Sequence, residues 1–403
     1  MRAPFFHCLA AAALVLLFAS CGQSGNSVSV AREQLFTLGY GLGEDQIDLF
    51  ESDPTQATLK TCITMREGIF YIANGNSAKI VRYSSFGDVL SMIYNPQRTP
   101  EPLLLKKTAD KGAAAERHAS RYPFRTVGEI AVDSRQMIYV EDRLPPERRV
   151  ADKDSNSVLG YAVLRFDKDG QYVDYLGQEG VGGTPFPYIM GVYITGADEC
   201  VVVSVSQSSW LVSWFDSKGL VRHSLKLNRD SLPKPAKGKN YAASLDKIVP
   251  NSDGRTLIAK IDYYKPADTG VEFAGSWAFK VDPASGKAEE NWEIPSIEQT
   301  IRGDNGEGIK HLLKIPQFLG VAGQRLFFLS ADEGSRNDLA IYDTVTHSVS
   351  HYNITIAPDE LYFNTIYLSG DGILCALLGT QYEARLVWWR FDKLLGAVKR
   401  EGS

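Results

Sequence analysis

Four side chains set the chemical question: Glu129, Asp246, Gln317 and Asn364. They fall at one equivalent point of a degenerate repeat, just ahead of the innermost strand expected in each unit, in a series completed by Thr61 and Gly191. Carboxylate and amide oxygens converging from four units are donors of the kind that a hard cation or a polar ligand needs. The ring is therefore a candidate Ca²⁺ site. Polar groups in a water-filled channel are also satisfied with no ligand at all.

Other chemistry-bearing patterns carry less. Residues 152–157, "DKDSNS", begin with the Asp-x-Asp-x-Asn spacing of a calcium loop. Ser157, however, stands where the turn glycine belongs and Val163 where a bidentate Glu belongs, so the stretch reads as a solvated turn. The tripeptide "RGD" at 302–304 matches an adhesion motif, but a match of three residues is short enough to arise by chance. His347 and His351 have the spacing of two helical metal ligands, yet they fall in an expected hairpin. Trp388 and Trp389 are neighbours on a strand and should point to opposite faces, with at least one packed between sheets. Neither a nucleophile elbow nor a phosphate-cradling glycine loop is present.

The elements that must position these residues are strands. The 403-residue chain is 44% hydrophobic, enough for a large core, and its 35 Gly, 19 Tyr and 18 Phe favour strands punctuated by turns. Its formal charge of −5 offers no global attraction to nucleic acid, and no nucleic-acid partner is expected. The stretch "VLRFDKDGQYVDYLG" (163–177) reads as a strand, an Asp/Gly turn and a second strand, and it recurs. Six third-strand ends fix the register: "VRYSSFG", "LRFDKDG", "SWFDSKG", "FKVDPASG", "IYDTVTH" and "WRFDKLLG".

Units of four antiparallel strands cannot bury both faces alone, so they should stack around an axis as a propeller. The sixth unit lacks a fourth strand of its own, because "GAVKREGS" is short and polar. "EQLFTLGY" (33–40) can supply it and remove the open edge. The expected fold is all-β: a six-bladed β-propeller of four-stranded antiparallel blades, closed by an N-terminal strand. Residues 96–125 (with room for a short helix), 143–159, 264–275 and 295–316 are insertions, the segments that usually carry recognition.

The N-terminus is a processing segment. Arg2 and the apolar run "CLAAAALVLLF" (8–18) are too short to span a bilayer permanently. "FASCGQSGNS" resembles a bacterial lipoprotein signal, with Phe18 replacing the usual aliphatic residue. That resemblance implies a signal peptide over 1–20, lipid on Cys21, a tether over 21–32, one propeller domain over 33–396 and a tail over 397–403. It also implies a lipid-anchored envelope location, periplasmic or surface-exposed, with the membrane as a partner. Three mature thiols would remain, Cys62, Cys200 and Cys375, each in an apolar run and odd in number, which rules out complete pairing.

"MIYVEDR…VLRFDKDGQYVDYLG" resembles six-bladed propellers of the NHL type, and with the signal the chain looks like a propeller lipoprotein of bacterial envelopes. The resemblance implies a non-enzymatic binding scaffold that recognises a protein, peptide or envelope polymer through its loops. Two alternatives stay open. Metal-dependent six-bladed lactonases use a Glu with Asn/Asp residues near the same place, which implies roles for Glu129, Asp246 and Asn364 in a hydrolase. A surface adhesin is the other.

Overall fold

The computed structural model describes residues 28–50, 59–107, 117–153, 157–177, 185–235, 240–267, 270–302, 309–331 and 335–397. Cys21 and the signal segment lie outside them. Six antiparallel blades surround one axis. Their inner strands are Thr61–Arg66, Ile130–Val132, Tyr188–Ile194, Ala242–Pro250, Gln317–Ala322 and Phe363–Leu368. Each inner strand contacts the next, and the sixth contacts the first, so the ring is closed.

Strand alternation explains why the blades stack. Successive side chains point to opposite faces, and here both faces are covered, so strands such as Cys200–Val205 and Ile373–Gly379 are buried almost throughout. Trp389 is fully buried between blades 5 and 6. Its neighbour Trp388 faces the other way, into the interface of blades 6 and 1, and donates its indole N–H to Glu33 at 2.8 Å. Each of the six interfaces between blades holds its own apolar cluster.

Glu33–Tyr40 pairs antiparallel with Glu383–Arg390 and is the fourth strand of blade 6. Its Phe36 packs against Tyr83 of blade 1 with ring centroids 5.4 Å apart, so the N-terminal segment seals the joint between first and last blades. With that edge taken, the described residues beyond Arg390 add no strand. Phe391–Ala397 forms a short helix instead of the turn that "WRFDKLLG" suggests. Of residues 96–125, the described part contributes Lys106–Lys107 and His118–Arg121, which extend blade 1 in parallel; the short helix that this insertion has room for falls to 108–116, outside the described residues.

Because every blade is a meander, first-to-second and third-to-fourth connections emerge on one face, and second-to-third and blade-to-blade connections on the other. The first is a turn face with one recurrent device. Asp133 Oδ1 accepts the amides of Arg135 (2.9 Å) and Met137 (2.8 Å). Asp167 does the same for Asp169 and Gln171, and Asp216 for Lys218 and Leu220. Three residues after each Asp comes a left-handed residue: Gln136, Gly170 and Gly219. Glycine takes that conformation without a Cβ penalty, which is why "FDKDG" and "FDSKG" recur. All four insertions emerge on the opposite, loop-bearing face. Residues 143–159 form a hairpin, Val150–Asp152 with Ser157–Leu159, and 295–316 another, Ile297–Arg302 with Ile309–Lys314. Residues 264–275 lengthen the middle strands of blade 4.

Candidate functional site

The inner strands start at the loop-bearing face, so the residues that precede or open them line the channel mouth. Glu129, just ahead of Ile130–Val132, lies there, with Lys60 Nζ 3.4 Å from its carboxylate. The same ammonium is 2.8 Å from Glu141 Oε2 and donates to the Ile189 carbonyl at 2.6 Å, joining blades 1, 2 and 3. Burial favours the neutral amine, yet Glu141 and Glu129 outweigh it and hold Lys60 above the usual lysine range. Glu141, 3% exposed, is pushed up by burial; Lys60 pulls it back and Glu129 repels it. Gly128 makes room for the pair, because a Cβ there would stand 2.5 Å from Glu141 Oε2.

Across the ring, Asp246 pairs with Lys260 at 3.0 Å, and that buried ammonium also meets Asp262 at 2.9 Å. Lys247 donates to the Leu319 carbonyl at 2.8 Å, tying blade 4 to blade 5. Burial lowers Lys247, while Glu129 and Asp246 both act on it in the opposite sense. Glu129 and Asp246 are thus brought to one channel, where lysines already neutralise them. Gln317 and Asn364 are exposed at the starts of their strands, and neither makes a side-chain hydrogen bond among the described residues. Thr61 turns into its blade, accepting from Asn74 at 2.8 Å. Gly191 leaves space that the Tyr193 hydroxyl fills.

The six positions are not one register. Bulges interrupt the inner strands of blades 3, 4 and 5 between Ile189 and Gly191, Leu245 and Lys247, and Phe318 and Gly320. Asp246 is therefore the bulged residue of blade 4, while Gly191 follows the bulge of blade 3 and Gln317 precedes that of blade 5. A cation would have to displace Lys60 or Lys260 from its carboxylates. No group of three or more His, Cys, Asp or Glu able to hold a metal occurs among the described residues. The donor set does not fit Ca²⁺, and no chemical step is derived through it.

The lesser motifs are accounted for locally. Asp152 pairs with Ser157 across a hairpin. Arg302 ends a strand, and the rest of "RGD" lies outside the described residues. His347 sits beside the Tyr342 hydroxyl at 3.2 Å and His351 beside Asp338 at 3.0 Å, so they do not share a site. Cys62, Cys200 and Cys375 are free thiols in separate blades, and burial pushes all three up.

Two clefts open between blades. On the turn face, between blades 3 and 4, one of about 480 Å³ contains Glu199, Arg222 and Asp253. Its acids are already used: Glu199 accepts from Trp214 at 2.8 Å and pairs with Arg222, and Asp253 caps its own turn. On the loop-bearing face, between blades 2 and 3, a groove of about 370 Å³ is lined by Arg143, Arg149, Tyr161, Tyr188 and Gln207 among others. It runs up to the channel mouth, because Lys60 Nζ lies 4.5 Å from the Tyr188 ring centroid. Sequence reasoning missed Lys60, Lys247, Lys260 and this groove. A lysine inside an apolar strand, as in "LIAKIDYY", is the signal that could have found the first set.

The chain is a six-bladed β-propeller. No family model matches it, and no curated protein matches it by sequence. Solved structures resemble it at low identity. A polysaccharide lyase matches 90% of this chain and 99% of its own, at 11% identity and TM-score 0.46. A gluconolactonase from Xanthomonas campestris matches 90% and 97%, at 12% and 0.40. The β-propeller domain of the Trilobed protease from Pyrococcus furiosus matches 82% and 93%, at 10% and 0.39. No chemistry passes from them to this chain.

Proposed function

We propose that this protein is a non-enzymatic binding scaffold of the bacterial envelope, an NHL-type propeller held at a membrane by lipid on Cys21. It recognises a protein, peptide or envelope polymer through its loop-bearing face. The observation that supports this most is the segregation of all four insertions to that face, where one of them, 143–159, lines the open groove. Loops on a rigid platform are the usual carriers of recognition. The hydrolase alternative needs Glu129 and Asp246 free to hold a metal, and both are engaged by lysines.

The test is photo-crosslinking in intact cells from single sites on each face. Val158 and Val271 report on the loop-bearing face and Lys218 on the turn face. Adducts from the first two alone are expected, together with loss of membrane association in Cys21→Ser. Adducts from Lys218 alone, or membrane association unchanged in Cys21→Ser, contradict the corresponding half of the proposal.

A further inference from the structure

We infer that the groove between blades 2 and 3 binds an anionic saccharide, a carboxylated or sulfated sugar chain, which deepens the binding reading above and rests on it. Among the described residues that line the groove, the charges are of one sign: Arg143 and Arg149, with no Asp or Glu. Arg149 lays its stem over Gly160 and spends only its Nε, which donates to the Leu144 carbonyl at 2.9 Å. Its terminal nitrogens, and the whole guanidinium of the exposed Arg143, have no protein partner among the described residues. Guanidinium forks match the two oxygens of a carboxylate or sulfate better than a point charge does.

The apolar component of the site is aromatic and flat. Tyr161 and Tyr188 meet edge to face, 5.9 Å apart at 88°, and Tyr188 is 45% exposed. One ring braces the other, so the exposed ring is a fixed platform. The weakly positive C–H face of a pyranose can rest on the negative face of such a ring. Gln207 lies on the same wall, within reach of sugar hydroxyls. Lys60 lies beneath Tyr188, so the groove opens onto the channel mouth, where a chain longer than one residue would continue.

An acidic peptide is the competing occupant, and the exposed Tyr188 ring favours a pyranose face over it. Peptides commonly bind by adding a strand to an open sheet edge. Here Arg143 is paired with Tyr161, and Val205 with both Tyr188 and Trp210. The open edges nearby are the three-residue outer edge of the hairpin strand Ser157–Leu159 and the free edge of the inner strand Tyr188–Ile194, so a guest main chain finds only a short ladder in the groove wall, whereas a saccharide needs none.

Calorimetric titration of the intact chain with hexagalacturonate, neutral cellohexaose and a hexaglutamate peptide tests the inference. Saturable binding of hexagalacturonate alone is expected, weakened by salt, with Arg149→Ala and Tyr188→Ala each raising Kd by about tenfold or more while thermal unfolding is unchanged. Equal binding of cellohexaose, preference for hexaglutamate, or binding indifferent to both substitutions overturns it. If hexagalacturonate fails to bind while cross-linking from Val158 persists in cells, the saccharide assignment falls alone. Loss of both removes the binding reading as well.

Discussion

On the turn face of the propeller, Asp133, Asp167 and Asp216 each begin a turn and meet the amides that it would otherwise leave open. On the loop-bearing face, the Arg143 guanidinium and the terminal nitrogens of Arg149 have no protein partner among the described residues, and the Tyr188 ring is half exposed beside the same groove. The difference teaches where this fold is fixed and where it is free. Charge on the turn face is consumed locally, so even its cleft offers an incoming ligand little that is unused. The loop-bearing face spends its buried charges on holding the channel mouth and leaves those further out for something else.

The largest expected effect comes from breaking the channel mouth. Lys60→Met leaves the buried Glu141 carboxylate without its cation and should destabilise the fold by about 3–5 kcal/mol. The double variant with Glu141→Gln should recover much of that loss. Denaturant unfolding of the three chains reads both numbers, and an undisturbed Lys60→Met would mean that the lysine is ornamental.

The next effect is a matter of pH. Asp142 accepts the amides of Arg125, Thr126 and Arg143, yet burial pushes its carboxyl from 3.8 up to about 6. Its native value lies above its unfolded one, so in that window the folded chain holds the extra proton and stability falls as pH rises. Asp142→Asn keeps an acceptor oxygen for all three amides. It should stabilise the protein above pH 6 by about 3 kcal/mol and remove this fall from the melting curve. A variant less stable than the parent at neutral pH would show that the carboxylate is needed charged.

Smaller effects separate the faces. Asp216→Ala removes the acceptor for two turn amides and should cost about 1 kcal/mol, with ligand binding unchanged. Replacing residues 150–159 with a short turn should change stability by less than about 1 kcal/mol and abolish binding in the groove. If the first change altered binding and the second did not, the assignment of roles to the two faces would be reversed.

The blades are legible because burial on both sides writes itself as apolar runs, and the turns because a left-handed position recruits glycine after aspartate or serine. The closing strand could be read from "EQLFTLGY" because Phe36 and Leu38 face the core. The mouth was only partly legible. Glu129 and Asp246 stand out as acids, but their lysines come from other strands or from a bulge that shifts the register by one residue. The groove was not legible at all, since Arg149, Tyr161 and Tyr188 meet across two blades and no local pattern joins them.

The most direct measurement is amide hydrogen exchange of the intact chain with and without hexagalacturonate. The account predicts new protection in segments 143–161, 187–190 and 205–207, with no change in the turns at 195–199 and 251–256. Protection centred on those two turns, with 143–161 unaffected, would contradict it.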